Sequence, residues 1–325
     1  MIYSIIIPIY NVASYIPRCF ESIYCQGIDE TKFEVLAIND GSTDNSSDVV
    51  KTYMKNHSNI HLFEKENGGV STARNLGLVN SKGLFVLFVD PDDVIGPYCL
   101  QEMELILNNN PKSDVIIARS FTEEKENYKW VDLFREGQLY RATELINAGY
   151  LRGSVCGCLF NRQFLLDNNI AFIEGIRNGE DTNFMFQSLF HSNKFEFINL
   201  RMYHVVGREG SASLTYNRQR IDIEIESIKK IYSCCENFYS KDGNKGVLNY
   251  MLYSPISNMI NDSLLTHEIN HKYLKKTGIA HYCKFRVDDN LIYLRKKIRL
   301  LDFSFSLFYF LCWLKAIFSP YINHK

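Results

Sequence analysis

Val86-Leu87-Phe88-Val89-Asp90-Pro91-Asp92-Asp93 decides how this chain is read. Its apolar half has no polar face, as befits a strand inside a parallel sheet covered on both sides. That strand then runs directly into the carboxylates of Asp90, Asp92 and Asp93. Concentrated negative charge at the carboxyl end of a buried strand, where α/β sheets collect ligands, suits a hard divalent cation. Mg²⁺ or Mn²⁺ binds oxygen, keeps waters and completes its shell with substrate phosphates. A nucleotide or diphosphate substrate follows from that reading. The alternative is a solvated acidic turn in which Asp93 caps a helix opened by Pro97.

The same grammar extends along the first third of the chain. Strand-length apolar runs at Tyr3–Pro8, Glu34–Asn39, Ile60–Glu64 and Leu84–Val89 alternate with helix-period segments at Ser14–Tyr24, Asp44–Lys55 and Ser71–Val79. Repeated strand-helix-strand units predict an α/β fold with a mostly parallel sheet, right-handed crossovers and helices on both faces. A helix at Pro97–Asn109 and a strand at Asp114–Ala118 continue the pattern. It then becomes mixed, with a strand at Ser154–Asn161, a helix at Asp181–Ser192 and strands near Phe195 and Tyr203. From Tyr216 the periodicity is helical. The expected division is 1–215, with a nucleotide-binding half at 1–110 and an acceptor half at 111–215, followed by a helical C-terminal region at 216–325.

Bulk composition narrows the class. The chain has 325 residues and a formal net charge of -1, which gives no reason to expect a nucleic-acid partner. Nine cysteines, an odd number without Cys-x-x-Cys spacing, fit reduced thiols in a cytoplasmic protein. Cys156, Cys158, Cys234 and Cys235 read as core thiols. The apolar run Ile5–Ile7 begins at once, with no basic leader, so a secretory signal is not expected. Near the other end, Lys296, Lys297 and Arg299 precede an aromatic stretch that runs to Phe318. Asp302 and Lys315 bracket an uncharged segment too short for the ~20 residues that cross a bilayer. Two readings of 296–319 stand: an in-plane anchor on the inner face of the cytoplasmic membrane, or a helix docked on the core.

Polar residues follow each early strand. Tyr10 offers a ring for stacking and Asn11 an amide, just after Pro8. Asp40 stands at the tip of the second strand, before Gly41-Ser42-Thr43-Asp44. Its carboxylate would accept a hydrogen bond from a base imide, or serve turn and capping chemistry alone. After the third strand, Asn67-Gly68-Gly69 frees the backbone, Ser71 starts a helix and Arg74 lies one turn inside it. His204, in an apolar stretch, reads as a packed histidine.

In this order Pro-x-Tyr-Asn, Asn-Asp-Gly-Ser-Thr-Asp, Asn-Gly-Gly-x-Ser-x-Ala-Arg-Asn-x-Gly and Asp-x-Asp-Asp resemble the family 2 glycosyltransferases of bacterial surface-polysaccharide assembly. The likeness is strong over the first hundred residues or so, weaker to about 215 and absent beyond. It implies the GT-A fold, a Rossmann-like nucleotide-binding mixed sheet with helices on both faces, and an inverting reaction. It also implies that Pro8, Tyr10, Asp40 and Arg74 hold the nucleobase of a UDP-sugar, with Asn11 and Gly69 beside them. Asp90 then faces the ribose and the metal, and Asp92 is the metal-side carboxylate for Mn²⁺ or Mg²⁺. Pro91 replaces the small polar residue common in the family. Gly179-Glu180-Asp181 resembles the family's Glu-Asp motif and implies Asp181 as catalytic base with Glu180 second, although acids also belong at helix N-termini for capping. Arg208 resembles a loop residue that neutralises the leaving diphosphate.

The processive-synthase motif Gln-x-x-Arg-Trp is missing around Trp130 and Trp313. Single-sugar transfer to a glycan or lipid-linked glycan acceptor follows. A sugar-nucleotide pyrophosphorylase would want a glycine-rich Arg/Lys loop where Ile9-Tyr10-Asn11-Val12 stands. The other rival is a catalytically silent nucleotide-sugar or glycan-binding module.

Overall fold

A computed structural model describes residues 1–109, 113–122, 133–148, 150, 153–176, 178–206, 217–239, 245–265, 270–283 and 304–312. The first half follows the expected alternation: β1 (Tyr3–Ile9), α1 (Ile16–Tyr24), β2 (Phe33–Asp40), α2 (Ser46–Met54), β3 (Ile60–Lys65), α3 (Val70–Asn80) and β4 (Phe85–Phe88). Next come β5 (Val94–Ile95), α4 (Cys99–Asn109), β6 (Val115–Phe121), β7 (Leu139–Tyr140), α5 (Ala142–Asn147), β8 (Cys158–Asn161), α6 (Arg162–Asp167), α7 (Glu180–His191) and β9 (Phe195–His204). The remaining helices are α8 (Arg218–Tyr239), α9 (Lys245–Leu265) and α10 (His271–Lys276). Residues 305–312 are also helical.

The chain divides into two compact units, one of residues 1–145, 150–175 and 187–209, the other of 146–149, 176–186 and 210–325. In the first, the sheet runs β3-β2-β1-β4-β8-β6-β9-β5, with β7 beside β9. The four leading strands pair in parallel, whereas β8 lies antiparallel to both β4 and β6. Every residue of β1 and β2 is buried, so both faces of this part of the sheet are covered. Strand order reverses between β1 and β4, and the crevice beyond their carboxyl ends is the switch point where such sheets bind ligands.

Pro8 sits in β1 at small cost to the ladder. Even-numbered residues of β1 turn their backbone toward β4, as the bond from Val89 N to Ile6 O shows, and that ladder ends at Ile6. The missing N–H therefore falls where no partner strand continues. At the opposite edge, Ser4 Oγ donates to buried Glu34 at 2.6 Å and accepts from Gly83 N at 2.8 Å, while Lys82 N donates to Glu34 at 2.6 Å. This polar latch closes the link from α3 into β4.

Sequence periodicity placed some boundaries differently. The helix after Pro97 starts only at Cys99, because Tyr98 takes a left-handed backbone with φ of 60°. The strand expected from Ser154 begins at Cys158, after a turn closed by Cys158 N on Val155 O. The strands expected near Phe195 and Tyr203 are one, β9, matched by register shifts in β6 between Ile117 and Ser120. Cys156 and Cys158 are buried as expected, but Cys234 lies on the exposed side of α8.

In the second unit, Ile221, Ile225, Ile228 and Ile231 line one face of α8, and Ile256, Met259 and Ile260 are buried on α9. Helix 305–312 turns Phe308 onto Tyr253, with ring centroids 6.0 Å apart, and stacks Phe305 on His271. Its Leu307, Phe310 and Leu311 are exposed, at helical spacing that puts them on one stripe. No helix among the described residues is long and apolar enough to cross a membrane.

Helix α3 approaches β1 so closely that a methyl group on Gly77 would lie 2.4 Å from Ile6 Cγ2. Gly77→Ala should therefore lose about 1–2 kcal/mol net: overpacking costs up to about 3 kcal/mol and better helix propensity returns only about 1. Urea unfolding checks this, and an unchanged or raised midpoint would refute the contact.

Candidate active site

Three loops at the carboxyl edge are laced together before any ligand is considered. Asn11, with φ of 52°, accepts from Thr43 N at 2.8 Å and Asp44 N at 3.3 Å through its side-chain oxygen. Its own N–H donates to Ser42 Oγ at 3.0 Å. Val12 N and Ala13 N donate to Ser46 Oγ and Asp44 in the same turn. The loop after β1 is thus clamped onto the loop after β2, and Tyr10 remains 50% exposed at its tip. Pro8 is enclosed within the strand.

Asp40 joins the second loop to the third. Its carboxylate accepts from Gly68 N at 2.9 Å and Gly69 N at 2.7 Å, and pairs with Lys65 Nζ, which lies opposite it in the β2–β3 register. Asn67 Nδ2 donates to the Asp40 carbonyl at 2.9 Å. Gly41 (φ 73°) makes the approach possible, since a Cβ there would stand 2.9 Å from Asn67 N. Turn chemistry, one of the two roles open to Asp40, is therefore present, and it acts on the start of α3. A carboxylate has about four acceptor sites, so the three bonds described leave room for a further donor. The helix starts one residue before Ser71, with Gly69 as its N-cap.

Arg74, one turn into α3, is 3% exposed and donates to Asp90 at 2.8 Å. Its guanidinium also lies 5.1 Å from the Phe172 ring centre. A buried guanidinium needs such a carboxylate. Asp90 takes Cys156 Sγ on its other oxygen at 3.6 Å, and its N–H donates to Tyr203 Oη at 3.1 Å. Tyr203 in turn donates to Asp93 at 2.7 Å, and Val206 N adds a second bond to that carboxylate at 2.8 Å. Arg18 reaches the Asp92 carbonyl at 2.7 Å. Burial, together with the charges of Asp90 and Asp92, pushes the Asp93 carboxyl up to about 7, against the two hydrogen bonds that favour its charged form.

Asp93 therefore turns inward, and the capping role considered for it is overturned: β5 intervenes before α4 begins. Asp92 is half-buried and Asp90 one-third exposed. Their oxygens fit a hard divalent cation that takes one or two protein carboxylates and draws the rest of its shell from phosphate and water. Among the described residues no group of three or more His, Cys, Asp or Glu is gathered as a self-sufficient metal cage.

Glu180 and Asp181 open α7 within the second compact unit, and both are half-buried. Gly179 (φ 88°) precedes them, and its carbonyl accepts from Asn183 N at 2.9 Å. Arg208 lies outside the described residues. His204 stacks on Phe121 with centroids 4.6 Å apart, in keeping with a packed histidine. Lys65, Tyr203, Cys156, Phe172 and Arg18 escaped the motif reading. Only Lys65 left a signal, as the cation that falls opposite Asp40 once the strands are aligned.

The profile of glycosyl transferase family 2 matches residues 4–168. A protein of Escherichia coli (strain K12) called uncharacterized glycosyltransferase YibD is 29% identical over 253 residues, 71% of this chain and 72% of that one. Poly(ribitol-phosphate) beta-N-acetylglucosaminyltransferase TarS of Staphylococcus aureus (strain Mu50 / ATCC 700699) is 28% identical over 65% of this chain, but the match spans only 36% of TarS. The crystal structure of S. aureus TarS 1-349 in complex with UDP superposes with a TM-score of 0.71 at 20% identity, covering 100% of this chain and 92% of that one. A Pyrobaculum calidifontis mannosyltransferase solved with GDP-Man and Mn²⁺ superposes at 0.51 with 16% identity, covering 98% and 87%.

Asp40→Ala would strand the Gly68 and Gly69 amides and leave the Lys65 ammonium with the Glu66 carbonyl in place of a carboxylate. Loss of about 2–3 kcal/mol is expected, with hydrogen exchange at residues 66–74 accelerating before the rest of the sheet. Uniform exchange across the sheet would count against the anchoring role.

Proposed function

The chain belongs to glycosyl transferase family 2, and from that premise we propose that it moves a single sugar from a UDP-sugar to a glycan or lipid-linked glycan in surface-polysaccharide assembly. The observation that carries this reading is the acidic turn at the β1/β4 switch point, bonded to Arg74 and facing loops already clamped by Asn11 and Asp40. TarS, a structural neighbour, was solved with UDP and with UDP-GlcNAc, which supports a uridine donor here.

In the proposed reaction Tyr10 stacks on the base and Asp40 accepts its imide hydrogen with its remaining acceptor capacity, within the pocket edge formed by Pro8, Asn11, Gly69 and Arg74. Asp90 and Asp92 supply oxygens for Mn²⁺ or Mg²⁺. When bound, that ion would neutralise charge on the departing diphosphate. Arg208 is assigned, by the family resemblance alone, to neutralise charge on the leaving diphosphate. Asp181 takes the proton of the acceptor hydroxyl as its oxygen bonds to the anomeric carbon and the bond to UDP breaks, with Glu180 beside it. A single displacement of this kind inverts the anomeric centre. The proposed transferase region is 1–215, with 216–325 as its helical companion, in the cytoplasm.

A panel of UDP-sugars, with cell-envelope lipid and glycan fractions as acceptors, tests the reading through UDP release. EDTA should abolish release and Mn²⁺ restore it. Asp92→Ala should weaken Mn²⁺-dependent UDP affinity at least about tenfold, by the loss of one charged ligand. UDP binding without turnover would point instead to a silent binding module.

The exposed stripe of Leu307, Phe310 and Leu311, close in sequence to Lys296, Lys297 and Arg299, supports the in-plane membrane reading. Removal of all residues after Leu300 should release the protein from anionic liposomes in a flotation assay. Equal flotation of both forms would refute it.

A further inference from the structure

Helix α8 holds the turn that carries Glu180 and Asp181 at two points, all within the second compact unit. Asn178 Nδ2 donates to Glu224 Oε1 at 2.6 Å. Seven residues further along the same face of α8, Ile231 Cδ1 lies 3.8 Å from where a Cβ on Gly179 would stand. Glu224 is only 5% exposed and is itself gripped: Arg220 Nε donates to the same Oε1 at 3.0 Å, and Arg220 reaches across to Asp262 on α9 at 2.9 Å. Glu224 Oε2 is buried and has no hydrogen-bond partner among the described residues. Arg220 and Asp262 are the charged groups that act on it, the one from α8 and the other from α9.

A carboxylate in that position is costly. Burial first, and then the charge of Asp262, push it above the ordinary carboxyl range despite the Arg220 bond. A hydrophobic residue would fill the space more cheaply, yet it would leave Asn178 without an acceptor and the start of α7 without a fixed approach. The cluster thus trades stability for the position of a turn three residues from Asp181.

We propose that Glu224 is a positioning residue, fixing through Asn178 the turn from which Asp181 acts on the acceptor hydroxyl. This rests on the reading of Asp181 as base. It makes the C-terminal helices part of the acceptor machinery rather than an appendage to a nucleotide-binding domain. A misplacement of about 1 Å at a reacting group costs up to about a hundredfold in rate, which sets the scale of the expected effect.

The test compares Asn178→Ala, Glu224→Leu, Glu224→Gln and Asp181→Asn, using the UDP-sugar and acceptor that turn over in the panel. Asn178→Ala and Glu224→Leu should lower kcat about 10- to 100-fold, with donor KM and UDP affinity within about twofold. Glu224→Gln keeps an acceptor for Asn178 and should fall between Glu224→Leu and the wild type. Asn178 is exposed, so its variant remains informative if Glu224→Leu does not fold. If Asp181→Asn abolishes transfer while Asn178→Ala keeps wild-type kcat, the positioning role fails and the base assignment stands. If Asp181→Asn transfers normally, the base assignment fails and takes this inference with it.

Discussion

Arg74 and Asp90 meet at 2.8 Å with the guanidinium almost wholly out of water. Removing Asp90 would withdraw a carboxylate partner from a buried guanidinium, which is the costlier half of the pair to disturb because Asp90 itself still meets water. This one pair ties the first turn of α3 to the end of β4, and so joins the loop held by Asp40 to the acidic turn. Asp90 in turn fixes Tyr203 through its backbone, and Tyr203 holds Asp93. Three loops from separate strands therefore share a single hydrogen-bonded frame, in which Asp92 lies between Asp90 and Asp93.

That frame explains which parts of the fold were legible. Strands β1, β2 and β4 declare themselves because both faces are covered and most residues are apolar, whereas the edge strand β3 is only partly buried and shows in the sequence through Ile60, Leu62 and Phe63. The two-residue strands β5 and β7 are too short for any periodicity, and both exist only because β9 offers them an edge. The single strand from Phe195 to His204 reads as two in the sequence because its middle residues Asn199 and Arg201 are polar, and both are exposed. What kept the ladder whole was a register shift in β6, which leaves no mark in either segment's composition.

The same divide runs through the site. Motif spacing names the residues at strand tips, since glycines, aspartates and asparagines at turns are local signals. It does not name their partners. Asp40 was open to two roles, and the one now visible, holding Gly68 and Gly69, follows from the parallel β2–β3 register, which also delivers Lys65. Asp93 looked like a helix cap in isolation, but a tyrosine over a hundred residues away takes it instead. Long-range pairing converts what reads as turn chemistry into a braced acidic cluster.

The division of the chain bears on how an acid at a helix N-terminus can serve as a base. The aligned peptide dipoles keep such a carboxylate ionised, which leaves it ready to accept a proton but lowers its appetite for one. Under the proposed role of Asp181 the rate would come from placement: a hydroxyl held within hydrogen-bond reach gains more from orientation than from a unit of basicity. Residues 176–186 form one compact unit with the helices that follow 210, and the contacts of Asn178 and Gly179 run to α8. A buried glutamate set beside the like charge of Asp262 is a poor choice for stability alone. Its place at the root of this turn makes physical sense if holding the turn is what the second unit contributes.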